Sequence, residues 1–294
     1  MRLLVLGKSG QVGTELRRSL APLGDVIALG HAEASLEDPA QLKQAVLDAS
    51  PDIIVNAGAY TAVDKAEREP EQADRINHLA VGELADLARQ RNAWLIHYST
   101  DYVFDGAKPF PYVESDPTNP ISVYGRTKCA GEIAALKDGT KALVFRTSWV
   151  HAGHGHNFIR TILRLSGERD SLNVVDDQIG APTPAALIAD VTATAIGRAA
   201  QDGSLGTGLY HLTARGETSW FGLACFVVET ALSNGAALKL TPDRIQPVST
   251  SAYPTPAARP ANSRLDTTKL RAALGLSLPD WRDGARQTVL DLLA

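Results

Sequence analysis

Short apolar runs alternate with longer amphipathic stretches through the first two-thirds of the chain. Residues 3–6, 26–29, 53–55, 94–98 and 143–146 read as strands, and residues 39–49, 71–91 and 121–136 carry helical patterns. Strand, helix, strand at this spacing predicts right-handed βαβ units around a parallel sheet. The expected fold class is α/β, a Rossmann-type doubly wound sheet with a smaller C-terminal substrate-binding lobe. Helix punctuation agrees with this parse. Ser35-x-x-Asp38 followed by Pro39 places a cap and then a proline in a first turn, and Pro117 and Pro120 clear the chain before the third helix.

After about residue 150 the texture changes, with Gly and His through 150–157, further Gly and Pro through 176–184, and a Pro-rich stretch at 247–260. Yet residues 185–199 followed by Leu209-Tyr210-His211-Leu212 again read as helix then strand. The expected division is a dinucleotide-binding domain of residues 1–150 plus about 184–213, and a second lobe of about 151–183 plus 214–294.

Composition narrows the function class. The 294 residues are 44% hydrophobic with net charge -4, enough for a sizeable core but without a basic footprint for nucleic acid. Cys129 and Cys225 lie far apart, in no metal-ligand spacing, which points to a reducing compartment. The apolar start is too short for a signal peptide, and no run is long enough to span a bilayer, so a cytoplasmic protein is expected.

Gly7-Lys8-Ser9-Gly10-Gln11-Val12-Gly13 follows the first strand and opens a helix. Glycines permit a tight turn and close approach of a pyrophosphate, and the helix start offers free N–H groups. No Gly-Lys-Ser/Thr follows at the distance a P-loop requires. An NAD site places an acid at the end of the second strand for the ribose hydroxyls, but here that end reads Leu29-Gly30-His31. The missing acid favours NADPH over NADH, although no Arg or Lys stands nearby in sequence. Asn56-Ala57-Gly58-Ala59, after the third strand, is a turn able to pass close to such a cofactor.

Tyr124 and Lys128 are one helical turn apart on one face. A lysine charge some ~5 Å from a phenol at effective ε ≈ 20 contributes about 3 kcal/mol, roughly two pKa units, which would poise the tyrosine as a general acid toward a carbonyl. Ser99-Thr100-Asp101-Tyr102 follows a strand, and hydroxyls at the carboxyl end of a parallel strand open onto the ligand crevice. Thr100 is therefore expected to orient a carbonyl and the phenol.

Together these features resemble the extended short-chain dehydrogenase/reductase superfamily, and in detail its dTDP-4-dehydrorhamnose reductase family. The resemblance runs through VNAGAYTAVDKAE (55–67), HYSTDYVFDG (97–106), RTSWV (146–150), DQIGAPT (177–183) and TSAYPTPAARPANSRL (250–265). It implies reduction of the C4 keto group of dTDP-4-dehydro-β-L-rhamnose by NADPH or NADH, with Tyr124 as proton donor, Lys128 its partner and Thr100 the third member. The product would supply lipopolysaccharide or another rhamnose-containing polysaccharide. Gly10, Gln11, Val12, Ala59, Tyr60, Thr61 and Tyr98, with Gly7, Gly13, Tyr124 and Lys128, would meet the cofactor, and Thr100, Asp101 and Trp149 the dTDP-sugar. Some members are homodimers that bind Mg²⁺ through acidic side chains at the interface. Glu15 is available for that, but Ala186 stands where a partner carboxylate is expected.

Other positions are weighed on chemistry alone. His151, His154 and His156 sit in a Gly-rich loop without a further clear ligand, so solvated or substrate-adjacent roles are expected rather than metal. Trp149 is placed to stack on thymine or sugar, and Arg259 and Arg264 are candidates for the diphosphate through forked hydrogen bonds. Cys129 is expected to pack, and Lys65, Glu67, Arg68 and Glu69 to form a solvated helix face. Two other readings stay open. A dehydratase or epimerase on this scaffold would place Asp-Glu after the threonine, where this chain has Asp101-Tyr102. A non-catalytic cofactor-binding subunit would have no need of the Thr100/Tyr124/Lys128 set.

Overall fold

In the computed structural model, which describes residues 1–201 and 203–294, six parallel strands form the central sheet. They are β1 (Arg2–Leu6), β2 (Asp25–Leu29), β3 (Ile53–Asn56), β4 (Trp94–Thr100), β5 (Lys141–Thr147) and β6 (Gly208–His211), in the spatial order β6-β5-β4-β3-β1-β2. The principal helices are α1 (Gln11–Leu20), α2 (Pro39–Ala49), α3 (Ala80–Gln90), α4 (Val123–Ala135), α5 (Phe158–Glu168), α6 (Ala185–Ile196), α7 (Trp220–Ser233) and α8 (Trp281–Leu293). Because strand side chains alternate between faces, Leu3, Val5, Val55 and Phe145 pack with α1 and α6, whereas Leu4, Leu6, Ile54 and Val144 pack with α2 and α3. Burial on both faces explains why these strands read as continuous apolar runs.

Strand order reverses between β1 and β3, which opens a crevice at the carboxyl ends of the strands. A third core, separate from the sheet, gathers Ile159, Ile162, Val174, Val227, Ile245 and Trp281 from α5, α7, α8 and the parallel pair Leu172–Val175 and Ile245–Val248. The helix and strand near residues 185–211 return to the sheet, β6 pairing with β5.

Local chemistry sets the element ends. Asp38 caps α2 by accepting from the Ala40 and Gln41 N–H groups. Ser122 caps α4 by accepting from Gly125, so that helix starts at Val123 rather than at 121. The continuous helix expected over 71–91 is Pro70–Asp74, a π turn Arg75–Leu79, and then α3. The helix expected to residue 199 keeps α geometry only to Ile196. Among the described residues no helix is long and apolar enough to cross a membrane.

Candidate active site

The glycine turn forms a cradle at the reversal point. Gly7 has φ +84°, and a Cβ there would lie 2.8 Å from the Gly58 nitrogen; a Cβ on Gly13 would lie 2.0 Å from the Gly7 carbonyl oxygen. These three glycines let the turns after β1 and β3 and the start of α1 converge. Gly10 caps α1 without a side-chain bond and no acid occupies the first turn, so its N–H groups are open to an anion. Beside the cradle lies a cavity of about 160 Å³ lined by Gly30, His31, Leu36, Gly58, Ala59 and Ile76. A glycine floor, exposed helical N–H groups and a cavity of that size fit a dinucleotide phosphate and its adenosine.

The end of β2, which has no Arg or Lys beside it in sequence, has a cation beside it in the fold. Lys8 donates to Glu33 at 2.5 Å, while the other Glu33 oxygen accepts from the Gly30 N–H at 2.7 Å. Gln11 is tied to the Gly/His loop, its Oε1 accepting from Asn157 and its carbonyl lying 3.3 Å from His154 Nε2.

At the carboxyl end of β4 the reactive groups collect. Thr100 donates to Asp101 Oδ1 at 3.0 Å and accepts from the Tyr102 N–H at 3.2 Å. The Tyr102 and Tyr124 rings meet edge to face at 5.5 Å. Gly125 permits this approach, since a Cβ on it would lie 2.2 Å from the Tyr102 carbonyl oxygen. From the other side, Glu67 accepts from the Val123 N–H at 2.8 Å, fixing the first turn of the helix that carries Tyr124.

Lys128 is buried, and its Nζ donates to the Tyr98 carbonyl at 2.5 Å and lies 3.3 Å from His97 Nε2. Asn56 holds the other side of that imidazole, its amide nitrogen 3.4 Å from Nδ1 while its oxygen accepts from the Gly58 N–H. The electrostatics reverse one expectation. Lys128 was to acidify Tyr124, but burial pushes the phenol up to about 12, with the Thr100 hydroxyl drawing it partly back and the Asp101 carboxylate pushing it higher. Burial likewise lowers Lys128 to about 8, against the pull of Glu132. Burial also raises Asp101 to about 6, opposed by the Ser263 and Thr100 hydroxyls.

Next to Tyr102 opens a cavity of about 360 Å³ whose lining includes Phe158, Gln178, Trp220, Tyr253 and Arg259. Gln178 accepts from the Trp220 indole at 3.2 Å and donates to Thr250 at 3.0 Å.

A family model described as the RmlD substrate binding domain matches residues 1–293. The chain belongs to that family. A dTDP-4-dehydrorhamnose reductase of Burkholderia thailandensis is 48% identical over 297 residues, covering 100% of both chains. One from Escherichia coli strain K12 is 50% identical, over 99% of this chain and 98% of the relative. A dTDP-4-dehydrorhamnose reductase of Bacillus anthracis, solved in complex with NADP, superposes with a TM-score of 0.90 at 33% identity, covering 99% of each chain.

Within this RmlD-family chain the structure redistributes several candidates. The Tyr98 phenol turns into the core and hydrogen-bonds Thr192 at 2.8 Å, leaving its carbonyl to meet Lys128. Tyr60 is buried and donates to Glu69 at 2.7 Å, and Asn77 on the π turn brackets its backbone from both sides at 2.9 and 3.1 Å. Thr61 is exposed and Val12 packs on the sheet core. Glu67 and Glu69 are thus partly buried partners of Val123 and Tyr60, Glu69 also pairing with Lys65 at 2.9 Å, whereas Lys65 and Arg68 are exposed.

Trp149 stacks on Trp220 at 3.5 Å and abuts Gly180, so its ring supports the cavity wall that Trp220 lines. Arg259 is already paired with Asp64, Nη2 to Oδ2 at 2.7 Å, and Arg264 binds the Pro109 carbonyl at 2.7 Å and faces Glu217. Cys129 packs beside Phe104 and Leu265. The three histidines diverge: His151 is buried against Thr288, His154 lies by Gln11 and Glu15, and His156 borders a surface groove beside α5. Glu15 pairs with Arg18, and among the described residues no three His, Cys, Asp or Glu side chains gather as a metal-holding group.

Sequence reading missed Lys8, Asn77, His97, Gln178 and Trp220. The motifs that contain Lys8, His97 and Gln178 were visible, but only the fold gives these side chains partners.

Proposed function

We propose that this chain reduces the C4 keto group of dTDP-4-dehydro-β-L-rhamnose to dTDP-β-L-rhamnose with NADPH, Tyr124 donating the proton. The supporting observation is the seating of Tyr124 beside Thr100 and Tyr102, across the crevice from a glycine cradle. When bound, the nicotinamide supplies the hydride. Gly7, Gly10, Gln11, Val12 and Gly13 would hold the pyrophosphate, with Ala59 and Tyr60 lining the way to the reacting end.

Hydride addition leaves charge on the sugar oxygen. A phenol raised to about 12 remains protonated at neutral pH and can discharge that oxyanion, a stronger base than a phenolate. Lys128 steadies the phenolate that results, and Thr100 orients the carbonyl. Residues of about 151–183 and 214–294 would form the sugar-nucleotide lobe, with the pyrimidine against Trp220 and Asp101 and Arg259 toward the sugar diphosphate.

The test is loss of reduced-nicotinamide absorbance with the keto-sugar. Tyr124→Phe is expected to stay folded and to lose about 10²- to 10⁴-fold in turnover. Undiminished turnover in that variant would overturn the assignment.

A further inference from the structure

Two side-chain amides join the glycine cradle to the second lobe. Asn157 uses every hydrogen-bonding group of its side chain. Its Oδ1 accepts from the Arg160 N–H at 3.0 Å, and its Nδ2 donates to the Ala152 carbonyl at 2.8 Å and to Gln11 Oε1 at 2.9 Å. The Arg160 N–H and the Ala152 carbonyl are backbone groups of fixed polarity, so this amide can sit only one way round. Its remaining N–H therefore meets the oxygen end of Gln11, and the Gln11 Nε2 is left without a protein partner among the described residues. An unpaired donor at the first residue of α1 suits an anion there, whereas an unpaired oxygen would repel one. Gly155, at φ +69°, lets the loop press on the same side chain, since a Cβ there would lie 3.0 Å from Gln11 Cγ.

The same asparagine reaches the second cavity. Asn157 is the N-cap of α5, and Phe158, Thr161, Ile162 and Leu165 of that helix line the cavity of about 360 Å³. The Thr161 hydroxyl also donates to the Asn157 carbonyl at 3.0 Å. The stretch that ends at Asn157 begins at Trp149, whose φ of +50° lies in a region bulky side chains rarely adopt. The Trp149 ring stacks on the cavity residue Trp220. Residues 149–157 thus start on one wall of the cavity, touch the cradle at Gln11, and end on another wall.

We propose that Asn157 is a positioning residue that couples the two sites, so that a ligand in the cradle tightens binding in the cavity and the reverse. This rests on the reading above, in which a dinucleotide and a dTDP-sugar occupy them. A free glutamine side chain samples several rotamers, and fixing one costs conformational entropy. A dinucleotide phosphate at the start of α1 fixes Gln11, and a fixed Gln11 holds Asn157 and with it the first turn of α5. A nucleotide against α5 needs that same turn in place. The ordering is done once, by whichever ligand binds first, which makes the coupling positive and equal in both directions.

The experiment is calorimetric binding without turnover, with dTDP as the probe of the cavity and NADP⁺ as the probe of the cradle. In wild type each should tighten the other by about five- to tenfold, by equal factors. Asn157→Ser keeps a side chain that caps α5 but is too short to reach Gln11, and Gln11→Met removes the acceptor. Both variants should stay folded in thermal unfolding and bind dTDP alone within roughly twofold of wild type, with the coupling cut to less than about twofold. The double variant should lose no more coupling than either single one. Should Asn157→Ser fail to fold, Gln11→Met decides. A merely structural role would weaken both ligands and leave the factor between them unchanged. Wild-type coupling in the folded variants, or none in wild type, would overturn the inference and leave the proposed reduction standing. Wild type that binds neither ligand would overturn both.

Discussion

Lys128 lies against His97 in the core, its Nζ 3.3 Å from the imidazole Nε2, and neither side chain reaches solvent. Two such groups cannot both be charged at that distance. Burial first, and the lysine charge second, hold His97 well below its usual range, and Lys128 itself is lowered to about 8. The imidazole therefore stays neutral and positions the amine.

A stability signature follows from the lysine. Unfolded, it keeps its proton to about 10.5; folded, it gives it up near 8. Between those values the unfolded chain binds the extra proton, so this contribution makes stability rise with pH; below about 8 both states are protonated and the penalty is constant. Lys128→Met should be the more stable protein at pH 7, by at most about 3 kcal/mol, less what the lost bond to Tyr98 contributed. Urea unfolding from pH ~7 to ~10 should show the advantage shrinking.

Asp101 gives the mirror case. Its carboxyl is raised from the usual 3.8 to about 6, so the folded chain holds a proton that the unfolded chain has lost between those values. The penalty is full above about 6 and fades as pH falls toward 3.8. Asp101→Asn should raise the unfolding midpoint at neutral pH, lose that gain toward pH ~4, and weaken sugar-nucleotide binding. A midpoint difference independent of pH would refute the buried-charge account.

Glu132 and Arg146 form a buried ion pair, with Nη2 to Oε2 at 2.7 Å and Nε to Oε1 at 2.8 Å, and the guanidinium sits 4.8 Å over the Phe104 ring. Removing one partner strands the other charge in the core. Glu132→Ala should cost about 3–5 kcal/mol of unfolding free energy, measured by denaturant titration.

Gly125 separates tertiary fit from chemistry. A methyl group there would push the start of α4 off the Tyr102 carbonyl and carry Tyr124 away from Thr100. Gly125→Ala is expected to lower kcat by about 10²-fold, as misplacement by an ångström does, with cofactor affinity unchanged.

Much of this protein is written locally. Alternating strands and helices, the glycine turn after β1, the Asp38 and Ser122 caps, and Tyr124 and Lys128 on one helical face depend on neighbours a few residues apart, and periodicity and turn chemistry reveal them. Partnerships across the chain are not legible in that way. Lys8 finds Glu33, Glu67 the start of α4, Asn77 the backbone of Tyr60, and Trp149 its stack on Trp220 only because the sheet and its crossovers bring distant segments together. Burial decides the rest. Sequence spacing puts a lysine near a tyrosine, but the acidity of each follows from how much water the folded chain removes, and that is a property of the packed tertiary structure.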